Sequence, residues 1–423
     1  MKHVLPKFRL LVWLQLLSVC ACANVIDTTA HENANRQAML LREAPGMTHV
    51  NIFDDSSQNA FFKPSFNVGT IVHMFFSSQQ NGYGSPSAIN PSKVNSSLML
   101  YRARILLGGQ LSKKGSFFLE TDIGSPIGIR LSDSTKNIKV SPILLDVQYE
   151  HKIAGSHMIV AGMQLVSHNR NGLQGAAALM ANDFTYFQYP YNLFEDSPLQ
   201  GNFGRDVGIN LRGFFLKNKL EYRLGMFSGR RFTNGSPFRY VGRVVYNFLD
   251  PEKDYYYAGT KLGLGKTIAL GAGFDTQTTY NNIGADLFID LPAGTTGSVT
   301  LNAAYSKMTG GNNPAAKYSF ATMIPKQSTQ FLELGYYFKG SKLQPWLRYE
   351  KQDFASQTNQ VNGDTKTFDD LNSSTVLGGG LNYFFNGYGT NLRMSYTTWT
   401  QKNIVKEENS YGQFWLQLQF FLF

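Results

Sequence analysis

The chain has 423 residues, of which 16% are charged and 14% aromatic, with 40 Gly and a formal net charge of +10. Soluble chains carry about 25% charged residues, and no run after residue 20 reaches the roughly 18 apolar residues of a membrane helix. These figures argue against a helical membrane protein and against a disordered chain, and leave a large β protein whose apolar residues alternate with polar ones.

In chain order, Lys2, Lys7 and Arg9 precede the apolar stretch 10–19, and Ala21-Cys22-Ala23 offers small residues for cleavage. This predicts an export signal peptide over 1–23. Cys20 and Cys22, the two cysteines of the chain, both fall there. The mature chain is therefore expected to hold no thiol, disulfide or cysteine-based metal site. Residues 24–63, with a short helix suggested at His31 to Glu43, are read as a periplasmic segment, an inserted plug or a disordered stretch being the alternatives, and 64–423 as a barrel.

From residue 64 the pattern has a period of two. Leu107, Ile105, Ala103 and Tyr101 share one face while Arg102 and Arg104 share the other. Leu145, Val147 and Tyr149 oppose Asp146, Gln148 and Glu150; Leu220, Tyr222, Leu224 and Met226 oppose Glu221 and Arg223. Leu392, Met394 and Tyr396 oppose Arg393 and Ser395. Many such segments in succession predict strands with one face to lipid and one to a lumen. Strand starts fall near residues 65, 96, 115, 141, 156, 205, 219, 238, 264, 282, 297, 328, 342, 373, 388 and 410. The even number lets first and last strands close antiparallel with no free edge.

The connections sort by rim. Asn386-Gly387 is a strong hairpin signal, and Lys217-Asn218-Lys219 and Lys339-Gly340-Ser341-Lys342 are tight and polar. Long polar stretches at 78–95, 125–140, 166–204, 310–327, 353–372 and 400–409 share the opposite rim once 249–263 is read as a periplasmic turn. The expected architecture is all-β: a 16-stranded antiparallel transmembrane β-barrel with short periplasmic turns and long extracellular loops. Stretch 166–204 is the longest connection, and such loops are usually functional. It is read either as a constriction folded into the lumen, with His168 and Arg170 at its start, or as an extracellular cap; Gly175 to Ala181 suggests a short helix within it.

Gly204-Arg205-Asp206-Val207-Gly208-Ile209 with Gly213, Leu220-Glu221-Tyr222 and Gly225-Met226-Phe227-Ser228-Gly229 resembles the phosphate-selective porin O and P family. So do Tyr101-Arg102-Ala103-Arg104 with Gly108 and Leu111, Pro345-Trp346-Leu347-Arg348-Tyr349-Glu350, and Leu377-Gly378-Gly379-Gly380-Leu381-Asn382-Tyr383. The resemblance spans about 64–423 and implies a bacterial outer-membrane diffusion channel, commonly a homotrimer, for small hydrophilic solutes or anions such as phosphate. The sequence departs from the family at Leu165 to Ser167, where a Lys followed by a Pro is usual.

Eight arginines fall on the polar face: Arg102, Arg104, Arg212, Arg223, Arg239, Arg243, Arg348 and Arg393. Nine acids share it: Glu120, Asp122, Asp146, Glu150, Glu221, Asp286, Asp290, Glu333 and Glu350. The wall is nearly balanced, and cross-strand pairs are expected, such as Arg102 or Arg104 with Glu120 or Asp122. Arg102, Arg104, Arg212, Arg243, Arg348 and Arg393 are the pore-lining candidates, because a guanidinium offers a bidentate fork to phosphate or carboxylate.

Catalytic signatures do not emerge. The sequence carries no His-Glu-x-x-His pair and no Gly-x-Ser-x-Gly elbow. Gly263 to Thr267 fails as a phosphate loop because residue 260 is Thr. No cofactor or nucleic-acid partner is expected; the partners expected are outer-membrane lipid and small solutes. The competing readings are a barrel that anchors or adheres, and a hydrolase with a Ser and a His at its rim.

Overall fold

The computed structural model describes residues 64–81, 83, 93–123, 129–130, 142–188, 204–229, 238–278, 280–309, 326–354, 358–361, 364–367, 373–402 and 408–423. The signal peptide over 1–23, the segment 24–63 and part of every long loop lie outside the described residues.

Sixteen long antiparallel strands form one closed ring. They are β1 (Asn67–Gln80), β2 (Val94–Gln110), β3 (Gly115–Asp122), β4 (Ile143–Ala154), β5 (His157–Leu165), β6 (Arg205–Phe215), β7 (Leu220–Phe227) and β8 (Arg239–Asn247). The second half is β9 (Thr267–Gln277), β10 (Tyr280–Ala293), β11 (Gly297–Thr309), β12 (Gln327–Phe338), β13 (Leu343–Phe354), β14 (Ser373–Asn386), β15 (Thr390–Lys402) and β16 (Glu408–Leu422). Each strand pairs with the next in sequence, and β16 pairs with β1 from Thr70↔Leu422 to Gln79↔Gln413, which closes the ring. A two-residue strand, Ile129–Arg130, adds to β2, and a small hairpin, Thr358–Val361 with Asp364–Thr367, stands apart in the connection from β13 to β14. Every predicted strand start lies within three residues of the observed one.

Closure satisfies backbone amides around the ring, and the pleat then decides the faces. On the outside, Val207, Leu224, Val244, Leu270 and Ile283 are exposed; inside, all eight arginines and nine acids of the predicted polar face are buried. The period-two reading fails at two places. Leu145 on β4, expected outside with Val147 and Tyr149, is buried where the pairing with β3 shifts register between Glu120 and Thr121. A register shift between His73 and Met74 on β1 bulges β2, so Tyr101, expected beside Ile105 on the outer face, turns inward together with Arg102. A bulge adds one unpaired residue and re-aims its neighbours.

The short-turn rim carries the predicted chemistry. Leu216, Lys217 and Asn218 take positive φ between β6 and β7, as does Gly387 between β14 and β15. The segment 248–266 between β8 and β9 sits on this rim as expected but is no exposed turn: Glu252, Tyr255, Tyr256 and Tyr257 are buried. Within the wall, Gly162 on β5 has φ +116°, and an added Cβ would fall 2.0 Å from the Val147 carbonyl oxygen on β4. Gly162→Ala is therefore expected to destabilise the barrel by about 1–3 kcal/mol. The check is a lowered urea midpoint for loss of the compact form on unheated gels.

Candidate functional site

The first half of the long loop after β5 folds into the lumen. Residues 166–182 are buried throughout, in two single 3-10 turns, Asn171–Leu173 and Ala176–Ala178, where a short helix was expected. Glycines in the wall admit it. A Cβ on Gly273 of β9 would lie 2.2 Å from the His168 carbonyl oxygen, and one on Gly335 of β12 would lie 2.4 Å from Met180 Sδ. The remainder of the predicted loop, 189–203, lies outside the described residues.

The segment 248–266 enters from the opposite rim and meets this loop in the lumen. Gly175 N donates to Tyr257 O (3.0 Å), Tyr257 N to Leu173 O (2.9 Å) and Gly259 N to Ala178 O (2.8 Å). Gln174 and Tyr257 thus form a parallel bridge. An ion pair joins the same segments: Arg170 grips Glu252, with Nη2 to Oε1 at 2.9 Å and Nη2 also to the Ala258 carbonyl at 2.7 Å. The Arg170 guanidinium stacks 3.5 Å from the centre of the Phe288 ring. Backbone pairing, a buried ion pair and ring stacking tie the inserts into one internal plug. Neither segment has a hydrophobic period that would announce this, and the long-loop reading offered both the lumen and the cap.

The wall arginines are engaged by strand carboxylates and by the plug. Arg104 bonds Glu120 (2.8 Å) and Asp122 (3.0 Å), as predicted. Arg205, not among the predicted wall residues, bonds Asp146 (3.0 Å) and Glu120 (3.3 Å). Arg239 bonds Asp275 at 2.6 Å. Arg212, Arg223 and Arg243 stand directly opposite one another on β6, β7 and β8. Such a row of like charges is unfavourable unless neutralised. Glu221 Oε1 accepts from Arg212 Nε (2.7 Å) and Arg223 Nε (2.8 Å) and its Oε2 from Tyr257 Oη (2.7 Å), while Asp286 pairs with Arg243. Plug carbonyls complete the row: Lys253 and Asp254 accept from Arg212, and Tyr255 from Arg223.

On the other side of the lumen, Arg348 pairs with Glu333 (2.7 Å) and donates to the carbonyls of Asp183 (3.0 Å) and Phe184 (3.1 Å). Glu350 Oε2 accepts from the backbone of Tyr186 (2.8 Å). Arg393 donates to Ala181 O (3.0 Å) and Ala177 O (3.1 Å). Arg102 does not reach Glu120; it takes Asp183 of the loop at 2.5 Å. All six pore-lining candidates therefore face inward and meet a carboxylate, the plug or both. His168 Nε2 and Ser306 Oγ lie 2.9 Å apart, buried beside Arg243 and Asp286. Charge is unevenly spread: buried carboxylates crowd β3 to β10, whereas β14 to β16 and β1 present inward amides, hydroxyls and aromatic rings with Arg393.

Two plug groups titrate oppositely. Burial lowers His168 from 6.5 to about 4, and burial raises Asp254 from 3.8 to about 7. Between pH 6.5 and 4 a withdrawn loop binds a proton that the seated loop refuses, so acidification loosens residues 166–188. Between pH 3.8 and 7 the seated turn keeps a proton that the withdrawn one releases, so acidification favours seating of 248–266. Burial would also raise Glu252, but Arg170 and Lys261 beside it hold it down at about 2. Limited proteolysis at pH 7 and 4.5 is expected to show more cleavage within 166–188 at the lower pH, a change lost in His168→Gln.

No family model matches the chain, and a search of curated proteins finds no match. Solved structures do match. The outer membrane channel DcaP of Acinetobacter baumannii superposes with a TM-score of 0.52 at 11% identity, over 86% of this chain and 100% of that one. The anion-selective porin from Comamonas acidovorans gives 0.53 at 13%, over 85% and 100%. OmpF of Salmonella typhi, in complex with daunomycin, gives 0.51 at 13%, over 84% and 97%. At these identities the likeness is one of fold: a closed 16-stranded antiparallel barrel.

Proposed function

We propose that the chain is a bacterial outer-membrane porin, a passive diffusion channel for small hydrophilic solutes. The observation that carries this reading is the closed ring of sixteen strands with an apolar exterior and a polar, charged interior. A membrane barrel must satisfy its own backbone and turn polar side chains to its lumen. No chemical step is involved; solutes are selected by lumen width, wall charge and the inward plug. Residues 1–23 direct export to the outer membrane, and the protein assembles as a homotrimer. The guanidinium forks of Arg102 and Arg393, which meet no strand carboxylate among the described residues, offer the wall's contact for anions, phosphate among them, and the resemblance of the 204–229 segment to phosphate-selective porins supports that preference.

Purified protein in liposomes is expected to make them swell in isosmotic small sugars, whereas a barrel that only anchors or adheres leaves them intact. In planar bilayers under a salt gradient, the reversal potential is expected to carry the sign of anion preference. A cation-selective reversal potential overturns the anion assignment while leaving the channel in place.

A further inference from the structure

Two guanidiniums of the wall depend on the loop for their acceptors. Arg102 donates to the Asp183 carboxylate at 2.5 Å and to His73 Nδ1 at 3.1 Å. Arg393 donates to the Ala177 and Ala181 carbonyls and to Asn391 Oδ1 at 2.9 Å; among the described residues no carboxylate pairs with it. The other wall arginines described above each meet a strand carboxylate. If the loop withdrew, Arg102 and Arg393 would be left with neutral acceptors alone.

The strip between them, on β16 and β1, is neutral and short of partners. Gln417 faces Arg393 across one ladder and Phe75 across the other, and His73 faces both Arg102 and Gln419. Gln417 is fully buried with both amide atoms unbonded. Buried polar groups are ordinarily satisfied by protein or by a bound species. Tyr101, turned inward by the bulge, donates its hydroxyl to Asp183 Oδ2 at 2.7 Å. Asp183 is the most exposed of the carboxylates paired with the lumen arginines among the described residues, at 20% against 12% or less for the rest. It is the acid most open to exchange.

We propose that Tyr101, Arg102 and Arg393 form a binding site for small organic carboxylates, and that Asp183 occupies it as a tethered competitor. The Asp183 carboxylate shows the fit: one oxygen takes the tyrosine hydroxyl and the other the guanidinium. Two cations that ion-pair with no strand carboxylate among the described residues, flanking the unmet Gln417 amide, suit a dicarboxylate. Its binding displaces Asp183, and with it the hold of β2 on the inward loop. The inference rests on the porin reading for the arrival of solute, but binding is testable without conduction.

Isothermal titration calorimetry of succinate into the full-length protein in detergent tests it, with wild type, Asp183→Asn, Arg102→Gln and the surface variant Lys351→Gln. A tethered group has an effective concentration on the order of millimolar, so removing its charge is expected to tighten succinate binding by about tenfold or more. Arg102→Gln is expected to abolish binding and Lys351→Gln to match wild type. Equal affinity in wild type, Asp183→Asn and Arg102→Gln, or no binding to Asp183→Asn, overturns the site. Heat from inorganic phosphate but none from succinate overturns the carboxylate assignment. Absence of current from every variant in bilayers counts against the porin reading, while the calorimetric order Asp183→Asn, wild type, Arg102→Gln still upholds the site.

Discussion

Replacing residues 171–184 by a short Gly-Ser linker is expected to raise the unit conductance in planar bilayers by about threefold or more, since a barrel of sixteen strands emptied of its contents leaves an aqueous channel. The replaced stretch holds both 3-10 turns, the carbonyls that satisfy Arg393 and Arg348, and the Asp183 carboxylate on Arg102. Its removal also strips 248–266 of its backbone partners at Leu173, Gly175 and Ala178, so that segment should loosen and add to the gain. The variant should still migrate as a compact form before heating, because the ring of ladders does not pass through the plug. A conductance equal to wild type would mean that current never crosses the space the loop fills, and would overturn the role given to it.

The second large effect is expected at Glu221. Its carboxylate is fully buried and takes Arg212, Arg223 and the Tyr257 hydroxyl together. Glu221→Ala leaves two adjacent guanidiniums without a counter-ion, next to a third on β8. Breaking a buried pair by removing one partner costs about 3–5 kcal/mol, because the remaining charge stays desolvated. The barrel should therefore lose its compact form at a clearly lower urea concentration than wild type. The same substitution removes the carboxylate that the Tyr257 hydroxyl bonds, on the residue through which 248–266 bridges to the loop, so open-channel noise should rise. An unchanged urea midpoint would indicate that solvent or anions already reach this row.

The strands were legible because a bilayer imposes a two-residue period that local sequence must obey. Arg223 and Glu221 could be placed inside from their spacing to Tyr222 and Leu224 alone. Tyr101 could not: its inward turn depends on a bulge set by the pairing of β2 with β1, a partner 28 residues away in sequence at His73. The candidate site was legible as a set of inward charges, with Arg104 correctly matched to Glu120 and Asp122. Arg102 lies two residues away on the same face, yet its partner is Asp183, in a segment with no period to read. The segment 248–266 was placed on its rim by parity, but parity fixes only where a connection starts and ends. Tyr255-Tyr256-Tyr257 within it was the available signal, three aromatic residues in a row on the rim that otherwise carries tight polar turns.

The bridge between Gln174 and Tyr257 has a consequence for biogenesis. Its two halves approach from opposite ends of a cylinder whose seam joins the first strand made to the last. The loop's anchors on β13, β15 and β16 do not exist until the C-terminal half has been synthesised and inserted. Seating is thus a late, long-range event, and such contacts form slowly because chain closure must precede them. A freshly assembled molecule should pass through a hollow stage, leaky to small solutes, before its contents settle.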